Sequence, residues 1–125
     1  MLLIDVELRL IELKSWGIFA KEIIPKGTKI WERSILDKDI HVGWMERLSK
    51  RESEYIMKYG YLEGEYWILC IDNAKFMNHS KGANTYNTSE GTYTLKDIRV
   101  GEEITTDYYK ICDFVDKHGL GFEEK

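Results

Sequence analysis

The chain has 125 residues, 43% of them hydrophobic and 32% charged, the make-up of one ordinary globular domain with a real core. Its formal net charge of −4 argues against generic nucleic-acid binding, which needs a basic face to neutralise phosphates. Two cysteines, Cys70 and Cys112, stand in no CxxC or Cys/His pattern, so neither a disulfide framework nor a structural zinc site is expected. Asp5 and Glu7 interrupt the apolar Leu2-Leu3-Ile4 at once, and no later run is long enough to span a bilayer. The sequence therefore reads as an intracellular protein without membrane association.

From Asp5 to Leu10 polar and apolar residues alternate with a period of two, which predicts a half-buried strand. Ser15-Trp16-Gly17 breaks the alternation, and Ile18-Phe19-Ala20 resumes it as a short apolar strand. Glycine at such a turn lets another group approach the backbone closely. Ile24-Pro25-Lys26-Gly27 is turn chemistry, and its spacing returns at Ile98 and Gly101. Each glycine is followed three residues later by another isoleucine, Ile30 or Ile104, which predicts a duplicated strand–turn–strand corner. Between them, Gly43 to Tyr59 is the one clear helix candidate, with Trp44, Leu48, Tyr55 and Tyr59 near helical spacing and Gly60 as its stop. Trp67 to Ile71 reads as a buried strand and Asp72-Asn73 as a turn. Thr92 to Leu95 and Ile104 to Thr106 are strand-like. The tail from Lys110 to Lys125 reads as a short helix ending near Gly119, then a loose end.

Phe76-Met77-Asn78-His79-Ser80 sets an amide and an imidazole directly after an apolar anchor. Alone, such side chains most often cap turns. His41 and His118 are remote from His79, with no carboxylates at ligand spacing, so no metal site is expected. The chain has no glycine-rich phosphate loop, no Gly-x-Ser-x-Gly elbow and no dinucleotide fingerprint, which leaves hydrolase and kinase readings unsupported.

Taken jointly and in order, five segments resemble the SET-domain protein lysine methyltransferase family. They are Gly17 to Ala20, Ile24 to Gly27, a variable insert, Phe76 to Ser80 with Asn84, and Asp97 to Tyr108. The resemblance implies a mostly β, β-clip type fold of short strands, with a knot-like C-terminal half and one inserted helix. It implies a single domain over 1–125, with a core at about 14–108, an insert at about 37–67 and a tail at 109–125. The compact form looks like the small stand-alone SET proteins of viruses and bacteria.

The family's chemistry would be methyl transfer from S-adenosylmethionine to the amine of a protein lysine. Ser15, Trp16, Gly17, Asn78 and His79 would hold the cofactor, with Phe114 near the adenine. Tyr108 would be the catalytic tyrosine, and Tyr61, Tyr66, Trp67 and Tyr109 would wall the lysine channel. The implied partner is a protein or peptide presenting a lysine, with a homodimer as one way to complete the substrate groove. The sequence departs from the family at Lys81, which stands where many members carry a zinc-binding cysteine, so a zinc-bearing tail is not expected. It departs again at Ser15, Ala83 and Thr106. Thr106 occupies the position where the family often carries Phe or Tyr to tune methyl number. The alternative to an enzyme is a catalytically inactive SET-fold module that binds a peptide or protein partner.

Overall fold

The computed structural model describes residues 1–12 and 15–107. The alternating N-terminal segment forms β1 (Val6–Glu12), paired antiparallel with β2 (Ser15–Ala20). The register sets Leu10 opposite Trp16 and Glu12 opposite Ser15, so Ser15-Trp16-Gly17, expected as a turn, is the start of β2 because β1 pairs with it, and Ile11 is the extra residue of a bulge.

The two Ile-x-x-Gly turns pair with each other. Ile24 and Ile98 exchange both backbone hydrogen bonds, at 2.9 and 2.8 Å, and both side chains are buried. Gly27 and Gly101 take almost the same left-handed conformation, φ +82° and +84°, which a side chain would disfavour. The duplicated corner predicted from spacing is thus one symmetric contact at the centre of the molecule. Around it Ile18, Ala20, Ile30, Met77 and Ile104 complete the main core.

β3 (Lys29–Trp31) joins a sheet with β8 (Thr85–Thr88) and β9 (Gly91–Thr94) in the order β3-β9-β8. The insert contributes β4 (Lys38–His41), β5 (Tyr61–Glu63) and β6 (Tyr66–Leu69), ordered β4-β6-β5. β7 (Asn78–His79) and β10 (Thr105–Thr106) run parallel, an unusual pairing in a molecule whose other ladders are antiparallel. This parallel crossing is the described part of the knot-like half.

The helix expected over Gly43–Tyr59 is two pieces. A short 3-10 turn covers Val42–Arg47, and α1 covers Lys50–Tyr59. The break has a local cause. Ser49 Oγ accepts from the Glu52 amide at 3.1 Å, and the Glu52 carboxylate accepts from the Ser49 amide at 2.8 Å. This capping box starts a new helix rather than continuing the old one. The first piece opens where the Gly43 amide donates to His41 Nδ1 at 3.0 Å. Trp44, expected on the buried face, is 55% exposed and lies under the Arg47 guanidinium. The side chain that α1 buries is Ile56, which meets Leu62 and Trp67 in a second, smaller core.

β6 ends earlier than the expected Trp67–Ile71. The buried Asp37 carboxylate accepts from Ile71 N at 3.0 Å and from Ser34 N at 2.9 Å, and so draws Ile71 out of the ladder. Asp72 then accepts from Ala74 N and opens a 3-10 turn over Asn73–Phe76. Two cores therefore stand side by side, with the β3-β9-β8 sheet and the insert facing each other.

Candidate active site

The bulge at Ile11 and the start of β2 bring three groups to one point. Asn78 Nδ2 donates to the Trp16 carbonyl and to Glu103 Oε2, both at 2.8 Å. Gly17 sits in the middle. A side chain added there would place its first carbon 2.6 Å from Glu103 Oε2, 2.6 Å from Ile11 Cδ1 and 3.1 Å from Asn78 Nδ2. Only glycine lets these three side chains close against the backbone of β2 here.

The strand that carries Glu103 is pinned from behind. Asn84, buried, donates to the Glu103 carbonyl at 2.8 Å and accepts from Thr105 N at 2.9 Å. Its amide thus replaces a missing strand partner. Thr85 Oγ1 donates to the Thr105 carbonyl at 2.7 Å, and Ser80 N donates to the Thr106 carbonyl at 2.9 Å. Alternate side chains of a strand face opposite ways. Asn78, Glu103 and Thr105 therefore share the face toward Gly17, while Met77, His79 and Thr106 share the other. The His79 ring is buried, its Nδ1 3.7 Å from Asp107 Oδ1.

Behind that second face opens a cavity of about 580 Å3 between the two cores. Met77, Thr92 and Thr106 line it from the main body, Tyr61 and Cys70 from the insert. Burial pushes the Tyr61 hydroxyl well above its ordinary range, with Cys70 and Glu63 adding to the effect. Burial, and behind it the charge of Asp37, pushes the Cys70 thiol up to about 12. Both therefore stay neutral at physiological pH. Thr92 Oγ1 donates to Asn87 Oδ1 at 2.6 Å, and Asn87 Nδ2 donates to Thr106 Oγ1 at 2.8 Å. Of the charged lining residues, Glu32, Arg33, Lys58, Glu63 and Glu90 are solvent-exposed and Lys75 is half-buried. The interior is uncharged and the entrance is not.

The chain matches the SET domain family over residues 15–109. It belongs to the SET-domain family. Among solved structures it resembles a candidate histone methyltransferase of Plasmodium falciparum, PFL0690c, at 20% identity and a TM-score of 0.60, covering 84% of this chain and 93% of that one. It also resembles Ezh2-bearing apo ctPRC2 at 20% identity and a TM-score of 0.69, covering 91% of this chain and 16% of that one. At this identity these likenesses speak to fold: the mostly β architecture with an inserted helix is the SET fold. No curated protein matches the chain.

In the SET frame, Ser15, Trp16 and Gly17 form the start of β2 and Asn78 reaches it through the Trp16 carbonyl, with His79 on the opposite face of β7. Of the residues expected to wall a lysine channel, Tyr61 lines the cavity, its ring edge-on to Trp31 at 6.2 Å. Tyr66 faces His41 on the outside of the insert, with ring centroids 5.2 Å apart. Trp67 is 4% exposed within the second core, where it packs with Ile56 and Leu62. Neither is among the residues lining the cavity. Tyr108, Tyr109 and Phe114 lie outside the described residues. Sequence reasoning missed Glu103, Asn87 and Cys70 as site residues. Glu103 stood inside the quoted Gly-Glu-Glu-Ile segment, whereas nothing in the spacing of Asn87 marked it.

Among the described residues no cluster of His, Cys, Asp and Glu could hold a metal ion. No helix among them is long and apolar enough to cross a membrane.

Proposed function

We propose that this chain transfers a methyl group from S-adenosylmethionine to the side-chain amine of a lysine in a protein substrate. The observation that carries the reading is that one thin wall, the β7–β10 crossing, separates two unlike sites. On one side lies the start of β2 at Gly17 with the Asn78 amide. On the other lies the uncharged cavity. A transfer between two bound molecules needs such an arrangement, because each must reach the shared wall from its own side.

The residues at the start of β2 fit the cofactor's amino-acid end, since the Trp16 carbonyl, the Glu103 carboxylate and the Asn78 amide gather there. Trp16, Gly17 and Asn78 would hold its amino-acid end, with His79 toward the base. When bound, it supplies a methyl group on a sulfonium, activated for direct displacement.

What the chain supplies is the surroundings in which the substrate's lysine amine becomes a nucleophile. A free lysine carries its proton below about pH 10.4, and the protonated amine has no lone pair to give. The cavity entrance carries charges of both signs, Glu32, Glu63 and Glu90 with Arg33, Lys58 and Lys75, so the entrance keeps a charged side chain hydrated until it enters. The interior of Met77, Tyr61, Cys70, Thr92 and Thr106 disfavours the charged form, so the proton is left to water as the amine enters. Tyr61 and the Asn87–Thr106 pair then offer neutral groups that orient the amine without holding it as a cation. Tyr108, two residues beyond Thr106, is assigned the hydroxyl that aligns the nitrogen at the wall.

The test is mass spectrometry of lysine-containing basic peptides after incubation with the cofactor and the purified protein. The expected result is a 14 Da increment on lysine, the mass of one methylene, absent with Tyr108→Phe. A folded protein that binds peptide but adds no mass would favour a partner-binding SET module.

A further inference from the structure

Asn78 spends both amide hydrogens inward, one on the Trp16 carbonyl and one on Glu103 Oε2. A carbonyl and a carboxylate only accept, so the side chain is locked with nitrogen toward them and Oδ1 on the opposite side. Glu103 is not free to wander. Its backbone pairs antiparallel with Phe19, and Asn84 holds its carbonyl. Among the described residues no lysine or arginine forms an ion pair with its carboxylate. The same Oε2 lies 2.6 Å from where a Gly17 side chain would begin, so the negative charge stands directly against the β2 backbone at Gly17.

We propose that Glu103 is a positioning residue of the cofactor site. Its carboxylate fixes the Asn78 amide so that Oδ1 is presented as an acceptor, and its charge favours the ammonium of the cofactor's amino-acid end over a neutral group there. This rests on the methyltransferase reading above. It also gives the Gly-Glu-Glu-Ile segment a role distinct from strand formation: the second glutamate completes a site contributed mainly by residues far away in sequence.

The test is calorimetric titration of three ligands into the wild-type protein and into Glu103→Gln. Glutamine keeps an acceptor for Asn78 and removes only the charge. S-adenosylmethionine and S-adenosylhomocysteine both carry the ammonium, whereas 5′-methylthioadenosine keeps the nucleoside and lacks the amino-acid end. The variant is expected to bind the first two about tenfold more weakly, the scale of one charge-assisted contact, and the third unchanged. Equal affinities of wild type and variant for all three would overturn the proposal. So would a uniform loss across all three, which is what a loosened fold produces, since all are measured on the same variant. Loss for S-adenosylmethionine alone would place the charge at the sulfonium and overturn the ammonium assignment. Failure of the wild type to bind any of them would overturn the methyltransferase reading together with this one.

Discussion

Asn78 shows how far one side chain can be read from hydrogen-bond chemistry. Its nitrogen faces two acceptors at 2.8 Å, so an acceptor of the same shape would meet two acceptors with no proton between them. Asn78→Asp is therefore expected to cost about 2 kcal/mol of stability at neutral pH, measured by urea unfolding. The introduced carboxyl would titrate above its ordinary range, so the folded state holds the proton more tightly than the unfolded one. The deficit relative to wild type should then shrink as pH falls.

Cys70 gives the opposite end of the scale. With its folded value near about 12 and an unfolded value near about 8.5, the thiol contributes stability that is fully present below pH 8.5 and lost as pH rises toward 12. Unfolding measured from pH 8.5 to 10 should show a decline that steepens toward about 1.4 kcal/mol per pH unit and that Cys70→Ala removes. Burial of Cys70 was legible from its apolar run. Its place in the cavity wall was not, because that depends on Asp37, 33 residues earlier, ending β6 where it does.

Among the elements, the ones with strong local signals were legible and the ones made by tertiary contact were not. The alternation of β1 and the duplicated Ile-x-x-Gly turns carry their structure in their own residues. β4, β5 and β8 are three or four residues long and exist because neighbours pair with them. The helix of the insert lies between these cases. Its apolar spacing continues through Leu48, yet Ser49 and Glu52 hold the stronger local instruction and start α1 afresh. Ser49→Ala should cost about 1 kcal/mol, seen as a lowered melting midpoint, because the Glu52 amide loses its acceptor and the capping box loses one of its two bonds. The substitution touches neither face of the β7–β10 wall, so cofactor affinity is expected to stay at its wild-type value. A fall in affinity with unchanged stability would contradict this separation of insert from cofactor site.

At the scale of the whole molecule, the fold is two small cores with a cavity between them and a strand crossing at its floor. The order of five motifs carried the family from sequence alone. The sequence could not show that Met77 and Asn78, adjacent in the chain, serve opposite sides of one wall. That follows from the pairing of β7 with β10, which unites residues 78–79 with residues 105–106. Nor could it separate Tyr61 in the cavity from Trp67 in the core, since both are aromatic residues of the same insert. The central claim is that the start of β2, where Gly17 lets the Glu103 and Asn78 side chains close against the backbone, receives S-adenosylmethionine. Calorimetric titration of that ligand into the wild-type protein and into Gly17→Ala tests it most directly. Saturable binding by the wild type, lost in a Gly17→Ala protein that still melts cooperatively, is the predicted result. No binding by the folded wild type, or equal binding by both proteins, would contradict the account.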